Sequence, residues 1–488
     1  MSQPTNPTRS TGASAATNQT HNGQTTGVSP ITNPTSSTHA SAASGQSGGA
    51  GPRTSLGQPV GVPTVAGRFG EAATFVRRAM SGTPGRLRIL ALLGIVVSLV
   101  FGVAAFSTFG STDDALRRGE ANTGQLVRIQ AIHTNLVRAD ADATNAFLVG
   151  GLEPAGQRAD YTRSMAQASQ LIAEAARAQT ADGPALGALN SSVLSYASLV
   201  EQARATNRQA LPVGAQYLRL ASSGLRSDAL PILDALVKAN EARVSAEFDN
   251  ATAESAPLIT TGILALLVLI GGMIWLSWRT HRYINPPLAA ATAAILVTLV
   301  VGAISLSAVG SRVGQVRDGS YAATLATATA RIAAFDAKSN ESLTLIARGS
   351  GSAFQKAWVA SSQVVTDESA AAAKLSTDAA KMSGLWVNYA ETHGLIRKAD
   401  DGGQWEYAVQ LATGKSAKSA GGLSANVSFN AFDSSSAAAL VSSSRSASDS
   451  LDGPRTWLPF AAWIGLLVGL AAAVSAWWGV SLRLEEYR

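Results

Sequence analysis

The chain has 488 residues, of which 46% are hydrophobic and only 14% are charged, and its net charge is +6. It contains no cysteine, which excludes disulfides, thiol catalysis and cysteine-based metal sites. The basic balance does not indicate nucleic-acid binding, because the excess arginines flank long apolar segments and are better explained by membrane orientation.

The N-terminal region divides into two parts. Residues 1–67 are mainly Ser, Thr, Asn, Gly and Ala, with almost no large apolar side chain. Such a segment buries too little surface to offset its ordering entropy, so we predict a disordered cytoplasmic tail. Residues 68–88 form a basic juxtamembrane segment, in which helical spacing of Phe69 and Val76 beside Arg77 predicts a short helix at the inner membrane surface.

Four long segments contain no Asp, Glu, Lys, Arg or His, and they predict transmembrane helices over 89–110, 257–278, 286–310 and 456–482. Each has the roughly 20 residues that a helix needs to cross the hydrocarbon core. The absence of ionisable residues argues against an ion or proton pathway. Their many glycines, including the Gly465–Gly469 pair in a GxxxG pattern, favour close helix packing instead.

The charges between these spans predict the orientation. The N-terminal region, the loop 279–285 and the tail 483–488 hold 11 basic and three acidic residues, whereas the two large segments hold 27 basic and 29 acidic residues. Because Lys and Arg near span ends favour the cytoplasmic side, both termini are predicted to be cytoplasmic in a bacterial cell membrane. Arginines beside the first span are expected to contact anionic lipid.

The two large segments predict an internal repeat. Residues 113–256 and 312–455 are each 144 residues long, and each is bounded by two spans. Both begin with apolar residues at steps of three and four, the pattern of a supercoiled helix seam. Turns are expected near Pro154, Pro184 and Pro212 in the first segment, and near Gly349, Gly384 and Gly402 in the second.

The predicted fold is therefore all-α. It comprises four transmembrane helices, a disordered N-terminal tail, and two duplicated extracytoplasmic four-helix bundles over 111–256 and 311–455.

No strong catalytic or nucleotide motif occurs, so the chain is not expected to be an enzyme or to hold a metal or cofactor. The five histidines lack metal-ligand spacing, and His133 on the first seam favours a packing role. The Asp400–Gly403 stretch is typical of a turn and lacks the alternating ligands of a calcium loop.

Polar residues on the first long helix of each segment are the best candidates for function, namely Asp140, Asn145, Asp336 and Glu341. Two interpretations are open: they face water, or they form a polar layer that permits two bundle packings. A cluster that includes Trp386 and Trp405 is either core packing or a surface for a partner or ligand.

The layout of two-helix anchors and helical external modules resembles bacterial chemoreceptor-type sensors. More specifically, the chain resembles the GlnX family of actinobacterial four-span membrane proteins. The resemblance covers about 86–488 and rests on three stretches: Asn285-Pro286-Pro287-Leu288, Glu341 to Gly349 with Arg348, and Arg483 to Arg488. It implies relay of external amino-acid availability from a glutamine-binding lipoprotein to serine/threonine protein kinase G.

The resemblance thus implies a signal-relay protein with a solute-binding lipoprotein as outer partner and a Ser/Thr protein kinase as inner partner. An accessory component of a transport or envelope complex is the alternative, and a homodimer is left open. The inner segments are too small for a catalytic domain, so output is expected to pass through contacts there. Candidate inner contacts are Arg279, Arg282, Asn285, Pro286, Arg483, Glu485, Tyr487 and Arg488. Candidate bundle residues are Asp140, Asn145, Asp336, Glu341, Arg348, Trp386 and Trp405.

Overall fold

The computed structural model describes residues 83–149, 153–253, 255–280, 285–414 and 424–485, all of them in helices or the short turns between them. The predicted disordered tail 1–67 lies outside the described residues. In chain order the helices are α1 (Thr83–Leu148), α2 (Ala155–Ala178), α3 (Gly183–Arg208), α4 (Val213–Gly224), α5 (Leu230–Ala253), α6 (Ser255–Thr280), α7 (Pro286–Gln315), α8 (Ala322–Ile346), α9 (Ser352–Leu375), α10 (Met382–Asp401), α11 (Trp405–Thr413), α12 (Ala425–Arg455) and α13 (Leu458–Glu485).

Four stretches of helix in the described part of the chain are long and apolar enough to cross a membrane. They fall within the helical ranges Gly85–Leu148, Val213–Trp278, Pro286–Ile346 and Ala425–Leu482. These ranges include all four predicted spans. The prediction of an all-α chain with four long apolar helices is confirmed. Length and composition together indicate a multi-pass membrane protein.

The apolar parts of α1 and α13 approach each other most closely at glycines. A Cβ atom on Gly469 would lie 2.5 Å from the Cα of Gly102, and one on Gly465 would lie 2.6 Å from the Cβ of Ala105. The absence of side chains at these positions is what lets the two backbones come together, as expected for small residues between membrane helices.

Two of the apolar stretches continue as helix into the polar parts of the chain, one within α1 and one from α7 through a π-type turn into α8. Helix α1 has 66 residues, which corresponds to a rod of roughly 100 Å at 1.5 Å per residue. Two wide π-type turns, Leu225–Ala229 and Val316–Tyr321, join α4 to α5 and α7 to α8. The first precedes Pro231, whose ring would clash with the carbonyl of Ser227 in a regular helix.

Most of the predicted turns lie where the breakers indicated. Pro154 and Pro212 directly precede α2 and α4, and Pro184 occupies the first turn of α3. Gly349 and Gly403 adopt positive φ angles of 85° and 75°, which glycine tolerates best. The turn predicted at Gly384 is wrong by several residues, because the break between α9 and α10 falls at 376–381.

Two apolar cores organise the region beyond the spans. We call residues 113–253 the first half and residues 312–455 the second half. The first core lies between α1, α2, α3, α4 and α5, and the second lies mainly between α8, α9, α10, α11 and α12. In α1, Leu126, Ile129, Leu136 and Ala143 fall on the predicted seam of steps of three and four residues, and all four are buried. Helix α8 is buried on almost every side, because α1 packs against it from the first half.

Candidate functional site

The centre of the first half contains a buried carboxylate, Asp140, whose side chain is only 1% exposed. Its Oδ1 accepts hydrogen bonds from Ser222 at 2.5 Å and from the Tyr196 hydroxyl at 3.3 Å. Its Oδ2 accepts one from Ser339 of α8 at 2.5 Å. Burial and the neighbouring Asp140 carboxylate raise the pKa of Tyr196 well above its usual range, so that hydroxyl remains a donor.

Arg226, in the first π-type turn, joins this carboxylate to the second half. Its Nη1 lies 3.0 Å from Asp140 Oδ2, and its Nη2 lies 2.8 Å from Asp336 Oδ1 on α8. Burial opposes the charge, but the two carboxylates outweigh it and raise the pKa of Arg226. Asp140, Arg226, Asp336 and Ser339 therefore form one connected group, which we call the polar layer.

Asp433 of α12 makes a second ionic link between the halves. Its carboxylate accepts two hydrogen bonds from Arg138 of α1, at 2.6 and 2.7 Å, and one from Arg331 of α8 at 2.7 Å. Arg138 also lies over the ring of Phe335, 4.7 Å from its centroid. The contact between α1 and the second half is thus polar at two levels.

Glu341 lies in a separate buried cluster within the second half. Its carboxylate is 2.7 Å from Lys338 Nζ, 2.9 Å from His393 Nδ1 and 3.1 Å from the Tyr389 hydroxyl. Burial alone would raise the pKa of Glu341, but Lys338 and His393 outweigh it and lower the pKa to about 2. This carboxylate is therefore ionised at neutral pH. The His393 ring stacks on Trp358 at 3.6 Å and completes the cluster.

These contacts decide between the two interpretations of the seam carboxylates and amides. Asp140, Asn145 and Glu341 are at most 4% exposed, so the interpretation that they face water is wrong for these three. Asp336 is partly exposed, but it is held by Arg226, by Ser361 at 2.6 Å and by its neighbours on α8. Asn145 accepts hydrogen bonds from the side chains of Gln157 at 2.7 Å and Asn426 at 3.1 Å.

The aromatic candidates separate into core and surface. Trp386 is 2% exposed and packs against Tyr389 and Phe432, so of the two predicted alternatives core packing is the one that holds for it. Trp405 is half-buried and donates from Nε1 to the Leu345 carbonyl at 2.8 Å. The Arg348 guanidinium lies 3.9 Å above the Trp405 ring, from a backbone with φ of 41°.

The predicted inner contacts are only partly described. Asn285 is 6% exposed and donates to the Gly479 carbonyl at 2.7 Å, which ties the start of α7 to α13. Its prediction as an exposed partner contact is therefore wrong. Pro286 begins α7, Arg279 lies in the last turn of α6, and Arg483 and Glu485 lie in the last turn of α13. Arg282, Tyr487 and Arg488 lie outside the described residues.

Sequence reasoning missed the arginines that complete these groups, namely Arg138, Arg226 and Arg331. One signal was available for Arg226, because Pro231 in the following turn requires a local distortion of the helix, and π-type turns are frequent at functional sites. The other two adjoin apolar seams, where a single arginine is hard to distinguish from a solvent-facing one. Where side chains are described, no group of three His, Asp or Glu residues could hold a metal ion.

Comparison with known proteins gives one match. A family model described as an actinobacterial sensor domain matches residues 115–249. This range holds most of the first half, including Asp140 and Arg226. No curated protein and no solved structure is significantly similar to the chain. The protein thus carries an actinobacterial sensor domain, within a helical chain whose described part has four long apolar helices.

Proposed function

We propose that this protein is a non-catalytic transmembrane signal relay of the GlnX type. It passes extracytoplasmic amino-acid availability, received from a solute-binding lipoprotein, to a cytoplasmic Ser/Thr protein kinase. The sensor-domain match over residues 115–249 supports the sensory part of the proposal. The partners rest on the resemblance of the chain to that family.

The observation that carries the proposal is the continuity of helix between the apolar stretches and the polar layer. Asp140 and the apolar residues near Phe101 belong to the same helix α1. Asp336 is joined to the apolar stretch of α7 through α8 and one π-type turn. A shift between α1 and α8 at the polar layer would therefore move two predicted spans relative to each other.

The composition of the polar layer supports two alternative packings. Arg226 offers separate nitrogens to Asp140 and Asp336, and hydroxyl groups of Ser222, Ser339 and Ser361 surround the carboxylates. Hydroxyl groups rotate to suit either a donor or an acceptor, so they could satisfy the same charges in a second register. An outer partner that favours one register would shift the population towards it.

We further propose that the two halves are duplicated four-helix bundles beyond the cytoplasmic membrane, with both termini inside. In each half a long helix leaves an apolar stretch and two helices of 20 to 26 residues follow; a short helix, α4 or α11, then precedes the helix that leads back towards the next apolar stretch. Residues 113–256 and 312–455 are both 144 residues long, which supports the proposal that the two segments arose by duplication.

The relay is tested by Arg226→Met in the full-length protein, expressed in a strain that lacks the native gene. The methionine keeps the apolar stem but removes both ion pairs. We expect kinase-dependent phosphorylation to lose its response to external amino acids, while the amount of protein in the membrane is unchanged. Arg177→Met, on the exposed face at the end of α2, is the matched control and is expected to keep the response.

A normal response from Arg226→Met protein would remove the polar layer from the mechanism. Recovery of the kinase and the lipoprotein with the purified wild-type protein is the companion measurement. If neither partner is recovered from crosslinked membranes, the relay itself is wrong.

A further inference from the structure

A polar cavity lies between the two halves, beside the contact of α1 with α8. It has a volume of about 280 Å³ and is lined by α1, α2, α8 and α12. Its wall includes Asp142 and Asn145 of α1, Gln157 of α2, and Asn426 of α12. Because both halves contribute to its wall, an occupant would contact each of them. The cavity does not include Asp140, Arg226 or Asp336 of the polar layer.

Three buried polar atoms at this cavity have no hydrogen-bond partner among the described residues: Asn145 Nδ2, Gln157 Oε1 and Asp142 Oδ2. Asn145 is 4% exposed, and its carbonyl oxygen is already occupied by Gln157 and Asn426, which leaves its Nδ2 as an unused donor. A buried donor or acceptor that is left unpaired loses its hydrogen bonds to water without replacement and so destabilises the protein. Three in one wall indicate that something else completes them.

The charges at the cavity are matched except at Asp142. Arg138 is paired with Asp433 at 2.6 Å, Arg163 with Asp160 at 2.8 Å, and Lys338 with Glu341 at 2.7 Å. Asp142 makes no ion pair within 4.0 Å among the described residues, and its burial raises its pKa to about 7. A cation placed beside Asp142 would stabilise the ionised form of the carboxylate.

We propose that this cavity binds a small zwitterionic amine, of the class of a free amino acid. The ammonium group would donate to Asp142 Oδ2 and Gln157 Oε1, and an oxygen of the ligand would accept from Asn145 Nδ2. Among the charged side chains of the lining, Asp142 is the one without an ion-pair partner in the described residues, so the ammonium group supplies its counter-charge, while the unpaired Asn145 Nδ2 supplies a donor for the carboxylate of the same ligand. The cavity volume of about 280 Å³ lies just below the roughly 300–1,000 Å³ usual for ligand pockets, which suits a small ligand.

This inference deepens the proposed relay by adding a ligand site to it. Such a ligand would contact α1 and α2 of one half and α8 and α12 of the other, and so would stabilise one arrangement of the halves. Binding can be measured on the purified protein without any partner. Failure to bind would therefore leave the relay open, and failure of the relay would leave the site open.

The test uses the full-length protein in lipid nanodiscs, titrated with each of the common free L-amino acids. Binding is measured by isothermal titration calorimetry and by the rise in unfolding temperature. We expect at least one amino acid to bind, and Asp142→Asn to weaken it on the order of tenfold or more, through loss of one charge-assisted hydrogen bond. Asp367→Asn, the same exchange on the exposed face of α9, is expected to bind as the wild type does.

Two further arms separate the ligand chemistry. For the tightest amino acid, the matching α-keto acid lacks the ammonium group and is expected not to bind. Gln157→Met removes the unpaired acceptor from the half-buried wall and is expected to weaken binding while the helical circular dichroism is unchanged. Absence of binding by every amino acid would mean that the cavity holds water only, and equal binding of the keto acid would mean an anion site. Either result overturns the proposal.

Discussion

At the scale of single residues, buried carboxylates with chosen cationic partners hold the helices in register. Asp182 lies between α2 and α3 and pairs with Arg243 at 2.8 Å, while Asp140 and Glu341 have the partners described above. A buried ion pair adds little net stability, yet removing one partner is costly because the other charge stays behind. These pairs therefore penalise alternative alignments more than they stabilise the native one.

Glu341→Gln is expected to lower the free energy of unfolding by about 3–5 kcal/mol. The reason is that Lys338, 4% exposed, loses the carboxylate 2.7 Å from its Nζ and stays buried without a counter-charge. Urea unfolding followed by circular dichroism measures the loss. Glu391→Gln, on the exposed face of α10, is the control and is expected to change stability by less than about 0.5 kcal/mol.

The Glu341 effect also has a defined pH window. Its pKa falls to about 2 in the native state from the model-peptide value of 4.5, so its stabilisation is complete above pH 4.5 and is lost as the pH falls towards 2. The difference between wild type and Glu341→Gln should shrink across that range. A difference that stays constant down to pH 2 would show that the charge on Glu341 is not what stabilises the cluster.

Asp142 is expected to show the opposite dependence. Burial raises its pKa from 3.8 to about 7. Between pH 3.8 and about pH 7 the native state therefore binds more protons than the unfolded chain does, so the free energy of unfolding falls as the pH rises through that window. The charged groups at the same cavity are Arg138, Asp160, Arg163, Lys338 and Asp433. Asp142→Asn removes the penalty, so its stability relative to the wild type should increase from pH 4 to pH 7.

Thermal unfolding at several pH values measures this difference, with Asp367→Asn as the reference for the loss of an exposed carboxylate. If the two variants follow the same pH dependence, Asp142 is solvated in the native protein and the argument from its burial is wrong.

At the scale of elements, the helix contacts inside the apolar region depend on missing side chains. Gly469→Leu is expected to push α13 away from α1, because even a Cβ would lie 2.5 Å from Gly102 Cα and 2.7 Å from the Ser98 carbonyl oxygen. Overpacking of this kind costs about 1–3 kcal/mol or more. The unfolding temperature in detergent should fall.

Gly271→Leu, on α6, provides the matched control, because a Cβ at Gly271 would meet nothing within 4 Å. It is expected to leave the unfolding temperature nearly unchanged. If both variants lost the same amount in unfolding temperature, replacing a glycine by leucine would be destabilising in general, and the α1–α13 contact would not be the cause.

The elements also show how far the sequence determines the structure. The periodicity of the sequence identified the buried face of α1, because the spacing of apolar residues such as Ile129 and Leu136 along the helix determines which face they share. The side-by-side pairing of α1 with α8 could not be predicted, because Asp140 and Ser339 are 199 residues apart and neither carries a mark of its partner. The polar layer was only partly predicted for the same reason: Asp140 lies on a predicted seam and Asp336 lies beside one, whereas Arg226 lies in a distorted turn.

At the scale of the whole molecule, the proposed orientation places both halves outside the cytoplasm, and labelling of single cysteines tests it. The native chain has no cysteine, so single cysteines report on topology without background. Ser195→Cys on α3 and Ala370→Cys on α9 are both on exposed faces, one in each half. Both are expected to react with a membrane-impermeant maleimide in intact spheroplasts.

The control is the same labelling after the cells are lysed, which should leave the yield at Ser195→Cys and Ala370→Cys unchanged. A cysteine that reacts only after lysis would place its half in the cytoplasm. That result would overturn the predicted orientation, and with it the outer partner in the proposed relay.

Helix α8 is surrounded in a way that limits how the chain can be divided. Nineteen of its 25 residues are buried, several of them by α1 of the first half. A truncated chain that began at Pro286 would expose Ser339, Phe335 and their neighbours along one flank of α8. Asp336 would also lose its ion pair with Arg226. We therefore expect such a fragment to be unstable or to self-associate through that flank, because the second half depends on α1 for part of its burial.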